Sequence, residues 1–482
     1  GLDQQGLLDL DAGAGFDGVE PEFADAGLQI AGKIAGQVGR RFCSGRGGRL
    51  GHGIGKGGAR SGAHRWRTVG GWPDCAVCTD ALRTRRRLRS YNLAMVHSPV
   101  RPSPRSGAPS SPAFDICIRG GGIVGHTLAL LLARDRLRIA LYTPKALPGA
   151  APRPEDVRAY ALNGASRELL QSLRVWPDEA QATPVRRMEV FGDEGGLVQF
   201  DAEAQNLDAL NWIVDVPALE QRLAQAVQYQ AHVELVDEPV PAALTLVCEG
   251  RESATRAEFG VRYSAAAYGQ RGIAARFKTE LPHGMVARQW LSPQDRQGEV
   301  LALLPLGGPA GQEVALVWSA ADAHAQELQA LPDDEFAARV MQACGHALGT
   351  LTLSSARAQW PLQMALADRW VGPGFALAGD AAHTVHPLAG QGLNLGLGDA
   401  ATLAAIIHAR APHRALGDLQ LLRRYERARK LDTHAMRAAT DGLFQLFAQT
   451  PAPVRSLRNW GMQLFNHSGP LKQWVTRRAV GL

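Results

Sequence analysis

The sequence predicts an α/β fold: a nucleotide-binding βαβ unit, interrupted by a sheet-rich insertion and followed by a helical C-terminus. Three observations predict it. An apolar run from Phe114 meets Gly120-x-Gly122-x-x-Gly125, then an apolar helical stretch and a second run, Arg138 to Tyr142. This is the strand, glycine turn, helix and strand that a dinucleotide fingerprint requires. Phe375 to Ala378 reads as a buried strand that stops at Gly379-Asp380, and a glycine-punctuated loop then leads into an apolar helix beginning near Leu393. Between these two ends, runs of alternating polarity are cut by Gly-rich turns, as the strands of a half-buried sheet are.

Composition sets outer limits. A chain of 482 residues has room for two or three domains and a large core. Its hydrophobic share of 45% and charged share of 20% are those of a globular protein. Apolar runs such as Leu128 to Ala133 are far too short to span a bilayer. The formal charge of +6 is concentrated in about the first hundred residues, so no nucleic-acid partner is expected from it. The six cysteines are scattered, which fits a reducing compartment rather than a disulfide framework. Cys75-Ala-Val-Cys78 has no second pair to complete a zinc site, and His383-Thr-Val-His386 has no third ligand, so no metal is expected.

Residues 1–112 read as an N-terminal extension. Gly-rich and Arg-rich stretches up to residue 94 hold no sustained period and too little apolar surface to order themselves. No apolar core of a signal peptide is found there. The first methionine, Met95, is the expected natural start, followed by a Pro/Ser-rich lead-in, 96–112.

Residues 113–182 then hold the first part of the nucleotide-binding domain. The first two glycines allow a tight turn and close approach to a pyrophosphate, and Gly125 lets helix and strand pack. Tyr142-Thr143 stands where an acid for the adenosine ribose is expected, and Arg119 replaces the usual apolar residue before the glycines. Arg158, in DVRAYALN ahead of a helix, has the planar fork of donors that suits a phosphate; equally, it is a surface arginine. Residues 183–241 form the first part of the inserted domain, a hairpin within 185–200, then a strand and a return helix opened by Pro217. Residues 242–275 return to the nucleotide-binding domain, with a strand (Leu244 to Cys248) ending in Glu249-Gly250, then Ser253 and Arg256. Ser253 capping a turn and Arg256 pairing with an acid is the bland alternative for these two. Residues 276–358 complete the inserted sheet and carry a helix around DEFAARVMQACGHAL, and His283 there reads as a satisfied structural residue.

Residues 359–410 bring the chain back to the nucleotide-binding domain and hold its densest site pattern. Asp380 is delivered by a strand to the mouth of a helix whose unpaired N–H groups suit an electron-rich ligand. Gly390, Gly392 and Gly396 let backbone approach a flat ligand, Pro387 stiffens the loop, and Gln391 and Asn394 offer amides. Residues 411–482 form the helical C-terminal region, whose tail interleaves Trp460, Phe465 and Trp474 with Arg and Lys. That mixture suits either a membrane interface or a terminal helix packed on the protein.

The stretch FALAGDAAHTVHPLAGQGLNLGLGDA resembles the GD motif of class A flavoprotein monooxygenases, and of their ubiquinone-biosynthesis hydroxylase branch in particular. LTLVCEGRESATR resembles the same family's DG motif, with Glu249 in place of Asp. The resemblance covers the chain from about residue 114 to its end. It implies a glutathione-reductase-type, Rossmann-like FAD-binding domain with an inserted β-sheet substrate domain and a helical C-terminus. It also implies FAD as cofactor, NADH or NADPH as co-substrate, and O2 as the oxygen donor to a prenylated phenol. Gly120, Gly122, Gly125, Arg158, Gly250, Gly379, Asp380, Gly390, Gly392 and Asn394 are then the cofactor-binding candidates, Asp380 for the ribityl chain. Pro387, at the ring where substrate enters, and Gln391 are the catalytic candidates. A cytoplasmic enzyme is implied, peripheral at the inner face of the membrane or part of a quinone-biosynthesis complex. A related monooxygenase acting on a soluble phenol, or a flavin-binding accessory protein without turnover, are the alternatives.

Overall fold

The computed structural model describes residues 113–144, 156–192, 195–292, 296, 298–385, 390–448, 460–466, 468–469 and 472–473. The expectations for residues 1–112 lie outside these. In chain order come β1 (Phe114–Arg119), α1 (Ile123–Ala133), β2 (Ile139–Tyr142), β3 (Ala159–Leu162), α2 (Gly164–Ser172) and β4 (Ala182–Val185). The hairpin β5 (Arg187–Phe191) and β6 (Leu197–Asp201) precedes β7 (Asn211–Asp215), α3 (Val216–Gln228) and β8 (Val233–Val236). Then follow β9 (Ala242–Val247), the short α4 (Ala254–Glu258), β10 (Tyr263–Thr279), β11 (Val286–Leu291), β12 (Val300–Leu306) and β13 (Glu313–Ala321). The chain continues through α5 (Asp322–Ala330), α6 (Asp333–Ala343), β14 (Leu351–Leu353), β15 (Ala358–Ala367), β16 (Val371–Gly372) and β17 (Phe375–Leu377). It closes with β18 (His383–Thr384), α7 (Gly392–His408) and α8 (Leu419–Ala448), and no described helix is long and apolar enough to cross a membrane.

Among the described residues three sheets form. The first has six strands in the order β16-β17-β9-β1-β2-β8, parallel except at β16. Its central strand reads Ile116-Cys117-Ile118 and is fully buried, because a parallel strand covered by helices on both faces needs an unbroken apolar run. The second, of nine strands, runs β18-β15-β10-β13-β12-β11-β5-β6, with β14 on β10. Its outer face packs Phe277, Leu316 and Trp318 under Phe336 and Val340 of α6. The third, β3-β7-β4, sets Ile213 and Val185 against Ala287 and Ala315 of the large sheet's other face.

The expected boundaries at 241/242, 275/276 and 358/359 do not follow the sheets. α3 feeds β8, which pairs with β2 in the six-stranded sheet. β10 and β15 both belong to the nine-stranded sheet, joined over Tyr263–Ala274, and β10 runs through the boundary at 275/276 without a break. β3 likewise leaves the nucleotide-binding unit to pair with β7. Cross-strand pairing between distant segments decides these memberships, and local alternation does not report it.

One buried cluster fastens α7 and α8 to the end of β17. Asp399 of α7 is wholly buried and accepts hydrogen bonds from the Gly379 N–H (3.0 Å), His383 Nε2 (2.7 Å) and Arg429 Nε (2.8 Å). Arg429 also reaches the Leu395 carbonyl and Asp432. Burial alone would raise the Asp399 carboxyl, but His383 and Arg429 face it and hold it below the usual carboxylate range. A depressed folded pKa contributes stability above the unfolded value of about 4, lost as pH falls through the folded value. Asp399→Asn should therefore cost about 3–5 kcal/mol in urea unfolding at neutral pH, because Arg429 loses its buried carboxylate and keeps only the half-exposed Asp432. A cost under about 0.5 kcal/mol would show that the cluster does not hold the fold.

Candidate functional site

The glycines after β1 divide by what a side chain would meet. A Cβ on Gly120, whose φ is +113°, would lie 2.4 Å from the Cys248 carbonyl oxygen, and one on Gly125 would lie 1.9 Å from the Gly120 oxygen. These two serve close packing between β1, β9 and α1. Gly122, the residue before α1, has nothing within 4 Å of that position and faces open space. Gly121 packs against Thr143, so the end of β2 closes the turn from behind. Arg119 neither meets this space nor turns to solvent. It pairs with Glu258 at 2.7 Å and donates to the Thr255 hydroxyl, tying β1 to α4.

The second wall is the loop after β9. Gly250 adopts a φ of +78° with open space where a Cβ would be. Glu249 is turned inward: its carboxylate accepts from the Ser253 hydroxyl (2.6 Å), the Thr255 N–H (3.0 Å) and the Thr255 hydroxyl (2.7 Å). Ser253 caps α4 by accepting from the Arg256 N–H. Among the described residues Arg256 forms no ion pair. Its guanidinium donates to the carbonyls of Ala381 and Arg251 and lies 3.6 Å over the ring of Tyr263. The Tyr263 hydroxyl in turn contacts the Asp380 carbonyl and Thr384. This loop is thereby joined to the one after β17.

At that third wall Gly379 (φ +62°) and Gly390 (φ +61°) take left-handed conformations that favour glycine. The Asp380 carboxylate has no hydrogen-bond partner among the described residues, and burial raises its pKa against the pull of His383, Arg251 and Arg158. α7 begins at Gly392, which faces open space, and its first internal bond is from the Leu395 N–H to the Gln391 carbonyl. The N–H groups of its first turn are left for a ligand. Gly396 lies so near Val124 that a Cβ would sit 2.9 Å from its methyl. Pro387 and His386 lie outside the described residues.

Asn394 departs from expectation. Its side chain accepts from the Asn163 N–H and the Ser166 hydroxyl and donates to the Ala161 carbonyl and Gln391 Oε1, so only its backbone remains for a ligand. A buried carboxamide has to satisfy its own polar atoms, and here it does so by joining α7 to β3 and α2. Arg158 is gripped by Asp156 through Nε and Nη2, at 2.5–3.0 Å, and also meets the Tyr160 hydroxyl. Those hydrogen bonds to Asp156 keep the guanidinium firmly protonated.

A cavity of about 550 Å³ lies between these walls, lined by Gly122, Arg158, Gly250, Asp380, Gly390 and Gly392. It continues over the inner face of the large sheet, past Met188, Ile213, Ala287, Ala302, Leu304 and Val317. Its charged lining residues, Arg158, Glu220, Arg251 and Asp380, all belong to the cofactor-side loops and to α3. Of the expected residues, Gly122, Arg158, Gly250, Gly379, Asp380, Gly390 and Gly392 line this cavity, Gly120, Gly125, Gln391 and Asn394 do not, and Pro387 lies outside the described residues. Asp399, Arg429 and Tyr263 were missed, although Asp399 left a trace as the only acid in the apolar run 393–407. Among the described residues no cluster of His, Cys, Asp or Glu could hold a metal.

FAD fits this arrangement: Gly122 leaves space for a pyrophosphate at a helix start, and the partnerless Asp380 carboxylate awaits hydroxyl donors. Residues 215–440 match the FAD binding domain family. The chain is 32% identical over 394 residues to the 3-demethoxyubiquinol 3-hydroxylase of Escherichia coli, covering 76% of this chain and 98% of that one. It is 30% identical to the ubiquinone hydroxylase UbiL of Rhodospirillum rubrum, over 81% of this chain and 94% of that one. The crystal structure of PqsL, a probable FAD-dependent monooxygenase from Pseudomonas aeruginosa, superposes with a TM-score of 0.60 at 21% identity, covering 73% of this chain and 99% of that one. With its glycine turns, its partnerless acid and its long cavity, the chain belongs to the family of FAD-dependent hydroxylases of ubiquinone biosynthesis.

Proposed function

We propose that the protein hydroxylates a prenylated phenol in ubiquinone biosynthesis, using FAD, NADH or NADPH, and O2. The observation that carries this reading is the continuity of the cavity, from glycine turns that suit a dinucleotide to a strand face of small and apolar side chains. Bound FAD, once reduced by the nicotinamide, supplies activation of O2 and delivery of one oxygen atom to the ring. The chain's own work is binding, orientation and exclusion of water. Gly120 and Gly125 shape the first turn, and Gly122 gives the pyrophosphate its approach to α1. Arg158, preorganised by Asp156, lends positive charge, and Gly250 and Gly379 let the two loops close on the cofactor. Asp380 accepts hydrogen bonds from the ribityl hydroxyls. Gly390, Gly392 and the Asn394 backbone would present N–H groups to the flavin ring. The lining Ala274, Ala287 and Ala302 leave room for an aromatic ring and its alkyl chain.

A prenylated substrate resides in a membrane, and the described helical segment at residues 460–466 supports a peripheral contact. It exposes Trp460 (61%) and Leu464 (56%) one turn apart.

Three outcomes are expected. With a prenylated phenol, NAD(P)H and O2, the purified holoenzyme forms a ring-hydroxylated product detectable by mass spectrometry; flavin-bound protein that forms none would refute the reading. Gly122→Val leaves the unfolding free energy within about 0.5 kcal/mol of wild type but loses bound flavin, whereas Gly125→Ala costs about 1–3 kcal/mol through overpacking. Equal flavin content in wild type and Gly122→Val would remove the pyrophosphate from this turn. Trp460→Ser combined with Leu464→Ser should abolish co-sedimentation with phosphatidylglycerol vesicles, and unchanged sedimentation would argue against this helix as the contact.

A further inference from the structure

The strand-lined end of the cavity contains polar groups but, among the described residues, no charge. Asn211, Gln289 and, on β15, Gln363 are the amides among its strand residues. Asn211 stands on β7 two residues before Ile213, so both side chains point toward the large sheet. Gln289 heads a cross-strand row with Ala302, Val317 and Ala274, where it is the one polar member. Asn211 carries the decisive feature. Its side-chain oxygen is shielded from solvent and, among the described residues, accepts no hydrogen bond. A shielded amide oxygen without a donor is uncommon and destabilising, and in a cavity wall it points to a ligand that brings the donor.

We propose that Asn211 recognises the ring hydroxyl of the substrate, and that the site selects an uncharged phenol over a carboxylated one. The inference rests on the function proposed above and names a group that reads the substrate. The phenol O–H donates to the Asn211 oxygen, which draws the proton without removing it and raises electron density ortho and para to the hydroxyl. Those are the positions an electrophilic oxygen attacks. A carboxylate on the same ring meets no cation among the described residues at this end, so its desolvation is uncompensated. The alanines along the sheet leave space for the alkyl chain beside the ring.

The test uses the flavin-loaded protein and three probes: 2-geranylphenol, geranylbenzene and 3-geranyl-4-hydroxybenzoate. Binding is read from the perturbation of flavin absorbance and does not depend on turnover. Wild type should bind 2-geranylphenol about tenfold or more tighter than either of the other two. In Asn211→Leu, and in Asn211→Ala as a variant that adds no bulk, the preference for the phenol over geranylbenzene should collapse to about twofold or less while geranylbenzene affinity and flavin content stay unchanged. A merely structural role would weaken both ligands alike. Retention of the phenol preference in both variants, or equal wild-type affinity for the carboxylated probe, overturns the proposal. Product formation by wild type is scored separately. Binding with the expected preference but without hydroxylation would sink the proposed activity and leave the recognition standing, whereas hydroxylation with unaltered preference in the variants would do the reverse.

Discussion

The site depends on a carboxylate that no substrate meets. Asp399 gathers the Gly379 N–H, His383 and Arg429 around one buried charge, and so decides where β17 ends, how β18 leaves it and where α7 starts. Each tie alone is modest. Together they cross three chain segments whose positions relative to one another no local propensity sets. A buried ion pair is a poor source of net stability but a strong source of registry, because any other packing leaves a charge unpaired in an apolar medium. Trp370 packs against His383 and Tyr425 donates to the Leu377 carbonyl, so the medium around the cluster is apolar on its remaining sides.

The same division of labour recurs around the cavity. Side chains of the motifs are used mostly to join loops to one another, and backbone is left to face the ligand. Glu249 organises α4, Arg256 joins the loop after β9 to the one after β17, and Asn394 joins α7 to β3. Glycine then occupies the facing positions, because backbone can approach a flat ligand only where no Cβ intervenes. Asp380 and Arg158 are the motif side chains that bring charge to the cavity, and the raised pKa of Asp380 reflects a carboxylate removed from water with no donor among the described residues.

This division also explains what the sequence could reveal. The turn after β1 and the strand-loop-helix around Asp380 were legible because a glycine or a strand end leaves a mark within a few residues. The capping role of Ser253 was legible for the same reason. Arg119 was not, since its partner Glu258 lies on a segment 139 residues away. Nor was the reach of β10, a strand of 17 residues that serves β13, β14 and β15 through different parts of its length. The fate of the Asn394 amide was hidden as well, because Asn163 and Ser166 are brought to it only by the third sheet and α2. Pairings of high sequence separation carry no periodicity, so they appear only when the chain is folded.

Charge placement along the cavity follows from the two tasks it joins. A dinucleotide brings phosphates and many hydroxyls, and the cofactor end answers with helix starts, Arg158 and Asp380. Oxygen transfer to a ring needs the opposite environment, dry and weakly polar, so that the ring is held against the cofactor and water is kept from it. Had charged groups stood at the strand end, they would have drawn water in or demanded partners of their own. The inner face of the large sheet avoids both through short apolar side chains, with amides for the few hydrogen bonds that orient a phenol. A β-sheet suits this purpose because alternation sends bulky residues such as Phe277 and Trp318 to the outer core, while Leu304, Trp360 and Leu362 face the cavity as its apolar lining. The cavity is thus formed as much by where the large sheet puts its side chains as by the glycine turns that open it.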